Sequence, residues 1–258
     1  MGKRAVTIIS DFGIKDQYVA ILKGTMLKHH AEIQLIDVSH QVDTHDIRQA
    51  AYFLKAIHKR FPPGTIHVVA VNNYYRSDYE IICFEYKGQF HIGPNNGIFS
   101  LAFDSIDEDQ IYRILLDEDE KDLFELISHG VSLISRGMSI TEVGPPLNLF
   151  DKKIEVQPVI TQNEIRATIM HIDKYDNIIL NVHREYFEHI RKGRAFEIYF
   201  KYFDPATKIS SNYSQVPVGE VVCIFNSAHY LEIAINMGKA ASLLDLRKDE
   251  TIQIKFLG

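Results

Sequence analysis

Three short polar strings carry the side chains best suited to chemistry, and each follows an apolar, strand-like run: Ser10-Asp11-Phe12-Gly13, Ser39-His40 and Asn72-Asn73. Between them they offer a carboxylate, an imidazole, hydroxyls and amides, the groups that hydrogen-bond a polar ligand or move a proton. Asp11 is the charged member, placed either to hold a ligand or to cap the helix that follows. The run Asp117-Glu118-Asp119-Glu120 reads either as a solvated acidic loop or as a place where neighbouring charge lets one carboxylate act as a base. His29-His30, His40, His45, His58 and His67 lie within the first 70 residues, but none forms a ligand motif with a second His or a carboxylate at helix or hairpin spacing, so no metal is expected. There is no Gly-rich dinucleotide fingerprint after the first strand and no Gly-Lys-Ser/Thr phosphate loop, so NAD and ATP are not indicated. Cys83 and Cys223 sit in apolar runs and read as buried free thiols, with a disulfide or metal pair as the alternative.

Those strings need elements to hold them. Ala5 to Ile9 is apolar and β-branched, and Asp16 to Lys28 places Tyr18, Ile21, Leu22 and Met26 at helical spacing. Ile33 to Val38 then reads as a strand, Asp46 to Arg60 as a helix and Ile66 to Val71 as a third strand. This alternation predicts a parallel sheet covered by helices, with ligands gathering at the carboxyl ends of its strands, where the three polar strings lie. Glu80 to Tyr86 and Gln89 to Ile92, separated by Lys87-Gly88, predict a hairpin, and Asp122 to Arg136 a further helix. Beyond about residue 155 short apolar alternations dominate: Glu164 to Ile172, Asn177 to Val182, Ala195 to Tyr199, Val218 to Phe225 and Thr251 to Phe256. The expectation is two domains: 1–155, α/β with a mostly parallel sheet, and 156–258, an all-β, barrel-like domain.

Composition narrows the partners. Of 258 residues 46% are hydrophobic and 24% charged, with two Cys, which excludes disordered, collagen-like and disulfide-built classes. A net charge of −6 argues against a nucleic-acid partner, because phosphate neutralisation needs clustered Lys and Arg. The longest apolar stretches, such as Ile66 to Val71, fall far short of the roughly 20 residues that span a bilayer, so no membrane partner is expected. Without an apolar signal region after Met1-Gly2-Lys3-Arg4, the expected location is the cytoplasm.

A further set of strings resembles one family. They are Ser10-Asp11-Phe12-Gly13 with Asp16-Gln17-Tyr18-Val19 and Lys23-Gly24, Ile36-Asp37-Val38-Ser39-His40, Asp46-Ile47 with Ala50-Ala51, and Phe61-Pro62-Pro63-Gly64-Thr65-Ile66-His67-Val68. Gly93-Pro94-Asn95-Asn96-Gly97, Ile172-Asp173-Lys174-Tyr175-Asp176-Asn177 and Val216-Pro217-Val218-Gly219-Glu220 continue the series, and Asn226 through Gly238 is its most specific member. In order and spacing they resemble the S-adenosyl-L-methionine hydroxide adenosyltransferases, which include the fluorinases and chlorinases. The resemblance implies a homotrimer whose nucleoside pocket lies at the subunit interface, between the N-terminal domain of one copy and the C-terminal domain of the next. It also implies in-line displacement of methionine from the adenosyl 5′ carbon, with S-adenosyl-L-methionine as substrate and no cofactor. By resemblance, Asp11 holds the ribose hydroxyls, Asn177 the adenine edge, and Asp173 and Ser227 the methionine amino and carboxylate groups, with Asp16 and Tyr18 near the same end. Tyr213 falls near an aromatic that packs on the nucleoside, His45 lines the pocket, and Met237 is carried over as a binding position.

The chain departs from the family where water is activated. Water-using members carry an Asp, an Arg and a His; here Asn72 replaces the Asp, Tyr79 stands at the Arg position with Arg76 one turn earlier, and Asp119 stands where the His would be. Asn72, Arg76 and Asp119 are therefore the candidates for placing water. Ala228, Ile235 and Met237 sit where some halogenating relatives place polar or basic side chains, which disfavours a halogenase. The implied activity is hydrolysis to adenosine and L-methionine; the alternative is a trimeric binder of adenosine or S-adenosyl-L-methionine that has lost turnover.

Overall fold

A computed structural model describes residues 3–116, 122–201 and 203–258, and the chain divides into two compact units, Met1–Ile154 and Glu155–Gly258. The first contains β1 (Arg4–Ser10), α1 (Tyr18–His29), β2 (Ile33–Ser39), α2 (Ile47–His58), β3 (Ile66–Ala70), β4 (Ile81–Tyr86), β5 (Gln89–Pro94), α3 (Ile98–Ala102), β6 (Ile111–Arg113) and α4 (Leu123–Ser135). Its six strands lie in the order β2-β1-β3-β5-β4-β6.

The β2-β1, β1-β3 and β3-β5 pairs are parallel, whereas β4 runs antiparallel to both β5 and β6. The sheet is thus mixed, not parallel throughout. The reversal has a local cause: Lys87 and Gly88 both take positive φ (51° and 77°), the geometry of a two-residue hairpin turn, and such a turn joins only antiparallel neighbours. On one face Val6, Ile8, Val68 and Ala70 share a buried cluster with Leu22, Met26, Ile127 and Val131 of α1 and α4. On the other, Ile9, Val69 and Phe84 pack with Leu54, Ile98 and Phe99 of α2 and α3. Both faces being covered explains why β3 is apolar along its length apart from His67. Asp46 and Asp122 cap α2 and α4, each accepting from two backbone amides of the first turn.

The second unit contains β7 (Val159–Ile160), β8 (Glu164–Ile172), β9 (Ile178–His183), α5 (Arg184–Arg191), β10 (Ala195–Tyr199), β11 (Ile209–Ser210), β12 (Val221–Phe225), β13 (Tyr230–Ile235), α6 (Ala240–Leu243) and β14 (Thr251–Leu257). The strands pair as β10-β14-β8-β9-β13-β12-β11 with β7 beside β8, antiparallel except for β11-β12. Register shifts near Ile169 and Tyr230 interrupt the ladders of β9. Beyond β10 the pairing continues only as a bridge between Ile198 and Ala206 among the described residues. The unit is not all-β: α5 is a helix that the strand pattern hides, because its burial rests on one fully buried side chain, Phe187, in contact with Phe196, Phe225 and Phe256.

Candidate active site

In the first unit the strand order changes direction of travel at β1 and β3, since the chain leaves β1 for β2 on one side and β3 returns on the other. Open α/β sheets bind ligands in the crevice at such a point. Asp11 stands there, immediately after β1. Its Oδ2 accepts from the backbone amides of His45 (3.0 Å) and Asn72 (3.2 Å), and its side chain is 8% exposed. His45 and Asn72 are both non-glycine residues at positive φ (63° and 50°), so two left-handed backbone turns aim their N–H groups at one carboxylate oxygen. Among the described residues Oδ1 takes no hydrogen bond. The capping role is overturned: α1 is capped by Gln17 without a side-chain bond, and Asp11 instead reaches across the loops.

The loop after β5 fixes the turn after β3. Asn96 Nδ2 donates to the carbonyls of Val71 (3.1 Å) and Asn72 (3.0 Å), while its Oδ1 accepts from Ile98 N (3.3 Å). Asn95 Nδ2 donates to Leu149 O (2.8 Å) and Glu80 Oε2 (3.2 Å). Glu80 also receives Arg76 Nη2 at 2.8 Å, and Arg76 lies 3.1 Å from Asp78 and 3.7 Å from Asp151, with its guanidinium over the Tyr75 ring. Arg76 is therefore held by three carboxylates. Asp16 and Tyr18 are exposed at the start of α1, and Phe12 touches the Tyr18 ring. His45 is exposed, with its Nδ1 3.8 Å from Asp11 Oδ2. Asp119 lies outside the described residues.

In the second unit Asp173 and Asn177 close one turn. Asp173 Oδ1 accepts from Tyr175 N (2.8 Å) and Asn177 N (2.9 Å), and Oδ2 from Asn177 Nδ2 (3.1 Å). This leaves the Asn177 amide oxygen facing away from Asp173 while the side chain is buried. Tyr213 donates from its hydroxyl to Glu232 Oε1 at 2.6 Å. Glu232 is buried on β13; burial pushes its carboxyl above the ordinary range and the Asp173 charge adds to this, against hydrogen bonds from Tyr213 and Asn226. Glu232 is the group that motif reading missed, although a lone Glu in the otherwise apolar run Tyr230–Ile235 marks it. Ser227 is exposed beyond β12, and Met237 is 87% exposed at positive φ.

Spacing also concealed a histidine cluster. His67 and His91 are register partners on β3 and β5, and His58 at the end of α2 completes a buried group in which one ring nitrogen of each lies within 4.8 Å of the others. His67 spends both nitrogens on protein, Nδ1 on the Thr7 hydroxyl (2.7 Å) and Nε2 on Gln89 Oε1 (3.0 Å). The His67 and His91 rings stack at 5.1 Å, and His91 stacks on Phe84. With both His67 nitrogens engaged by protein groups and its ring stacked on His91, the cluster packs into the aromatic core on this face of the sheet. Cys83 and Cys223 are buried free thiols; burial pushes the Cys83 thiol far above its ordinary value and Cys223 up to about 12, which keeps both protonated. No helix among the described residues is long and apolar enough to cross a membrane.

An (R)-S-adenosyl-L-methionine hydrolase of Methanocaldococcus jannaschii is 26% identical, covering 96% of this chain and 95% of that one. A Thermus thermophilus protein of the same name is 23% identical over 97% and 99%, and a fluorinase of Nocardia brasiliensis 21% over 98% of each. The crystal structure of a conserved Thermotoga maritima protein superposes with a TM-score of 0.82 at 21% identity, covering 97% of this chain and 99% of that one, and so shares the fold. Residues 6–134 match the SAM hydroxide adenosyltransferase N-terminal domain and residues 167–253 its C-terminal domain; the chain belongs to the SAM hydroxide adenosyltransferase family.

Proposed function

We propose that this chain is an S-adenosyl-L-methionine hydrolase, forming adenosine and L-methionine by in-line attack of water or hydroxide at C5′. The observation that carries the reading is Asp11: two backbone amides fix one of its oxygens at the switch point of the sheet and leave the other to receive ribose hydroxyls. Relatives that span nearly the whole chain and bear the hydrolase name support turnover; nothing favours the reading as a binder without chemistry.

The sulfonium departs as neutral methionine, so the leaving group needs little acid assistance. The protein's task is to hold C5′ in line with a water and to exclude competitors. In this reading Asp11 orients the ribose, the Asn177 amide oxygen accepts from the adenine amino group, and Asp173 and Ser227 hold the methionine end. Tyr213, kept in place by Glu232, packs on the nucleoside, and Asp16, Tyr18, His45 and Met237 border it. Asn72, Arg76 and Asp119 place the water. The working form is a homotrimer, and the ligand is a small nucleoside.

Purified protein is incubated with S-adenosyl-L-methionine, and adenosine and methionine are followed by liquid chromatography beside an Asp11→Ala variant. Equal appearance of both products, lost in the variant, is expected. Adenosine binding without product formation would overturn the hydrolase reading.

A further inference from the structure

Beside Asp11 lies a chain of hydrogen-bonding groups that the reaction does not touch. Ser10 Oγ and His40 Nδ1 are 2.7 Å apart, His40 Nε2 lies 3.0 Å from Asp37 Oδ1 at an angle off a straight hydrogen bond, and Lys23 Nζ lies 2.6 Å from Asp37 Oδ2. The order Ser, His, Asp is that of a nucleophilic triad, but Ser10 is fully buried and His40 is 6% exposed, so the hydroxyl has no route to a substrate. The carboxylate beside Nε2 favours the tautomer with its proton there, which leaves Nδ1 to accept from the Ser10 hydroxyl. Burial raises the Asp37 carboxyl, but Lys23 and His40 outweigh it and hold it below its ordinary value, so it is anionic at neutral pH.

The backbone around the ring shows what this arrangement holds. His40 O accepts from Gly13 N at 2.7 Å, and Ser10 O accepts from Val42 N at 3.3 Å. Ring and carbonyl of one residue thus fasten the loop after β1, which carries Asp11, to the loop after β2, which carries the His45 amide bonded to Asp11. Gly13 takes a positive φ of 71° at this junction, with open space where a Cβ would be.

We propose that His40 is a positioning residue for Asp11: through Ser10 and Gly13 it clamps two strand-end loops so that the His45 and Asn72 amides stay on Asp11 Oδ2 and Oδ1 stays turned to the ribose. The inference rests on the reading of Asp11 as the ribose ligand. It makes His40 a determinant of nucleoside affinity rather than of the chemical step.

Three variants test it. In His40→Ala the adenosine dissociation constant and KM rise by about tenfold or more, the scale of one or two lost buried hydrogen bonds, while kcat stays within about threefold. His40→Gln, whose amide can accept from Ser10 and donate toward Asp37, recovers most of the affinity. Ser10→Ala weakens adenosine binding in the same direction, and the His40→Ala/Ser10→Ala double variant is no weaker than the worse single one, because the two act as a unit. Amide hydrogen exchange supplies a readout independent of ligand and turnover: the His45 and Asn72 amides exchange faster in folded His40→Ala. If wild type neither binds adenosine nor forms product while these amides are loosened in the variant, the functional reading falls and the clamp stands. Unchanged affinity and unchanged exchange in a folded His40→Ala protein would overturn the clamp itself.

Discussion

Asp11 is useful because its surroundings leave it half satisfied. A surface aspartate spends its charge on water, whereas this one is nearly buried and receives two fixed amides on one oxygen, which under the proposed function leaves the second oxygen for the ribose hydroxyls. The water-placing end differs in kind. Asn72 contributes its backbone to Asp11, and Arg76 is already paired with Glu80, Asp78 and Asp151, so neither offers a free base. Asp119 is the remaining ionisable candidate among the three named positions. Asp119→Asn is expected to lower kcat by about 10²-fold or more, the usual worth of a positioned general base, while leaving adenosine affinity nearly unchanged. Single-turnover product formation measured beside adenosine titration checks this, and wild-type turnover in the variant would remove Asp119 from the mechanism.

Elements were readable where their cause is local. The β-α-β-α-β alternation, the Lys87-Gly88 hairpin and the helices expected to begin at Asp46 and Asp122 all follow from neighbouring residues, and each stands in the fold within a few residues of its expected place. Helix α5 escaped because one phenylalanine supplies nearly all of its burial. The histidine cluster escaped because β3, β5 and α2 meet only in three dimensions. That cluster makes the first unit acid-sensitive. Burial is the chief cause that holds all three imidazoles below their ordinary value, with Lys87 and Lys59 adding to it at His58 and the neighbouring imidazoles at His91; His67 falls to about 4 even though Gln89 partly opposes it. The unfolded chain takes up these protons as pH falls below about 6.5 while the folded one refuses them, so stability is complete above that value and is lost between it and about 4. For His67 alone the loss approaches about 3 kcal/mol over that window. Among the described residues neither buried nitrogen of His91 has a side-chain hydrogen-bond partner, and the ring lies against Phe84, Phe99 and Phe103, so His91→Phe removes a titrating, poorly satisfied polar group from an aromatic setting. Urea unfolding at pH 7.5 and 4.5 should show a shallower loss in His91→Phe than in wild type. An equal loss would place the acid sensitivity elsewhere.

At the scale of the whole molecule, the residues proposed to meet one nucleoside fall into two sets, Asp11 with its loops in the first unit and Asp173, Asn177 and Tyr213 in the second. Both units expose large apolar side chains, among them Ile14, Tyr74 and Leu149 in the first and Tyr175, Val218 and Leu243 in the second. The proposed homotrimer is expected to show three times the 29.7 kDa chain mass, which light scattering coupled to size exclusion reads directly, and a monomer mass would overturn it. Mixing separates a shared site from a private one. Asp11→Ala damages only the first set and Asn177→Leu only the second, and each variant alone is expected to be inactive toward S-adenosyl-L-methionine. Co-expressed and assembled at random, they regain roughly a quarter of wild-type activity if each site joins the first unit of one copy to the second unit of another, because that fraction of junctions brings two intact halves together. If both halves of a site belong to one chain, the mixture stays as inactive as its parents, because every chain carries one damaged half.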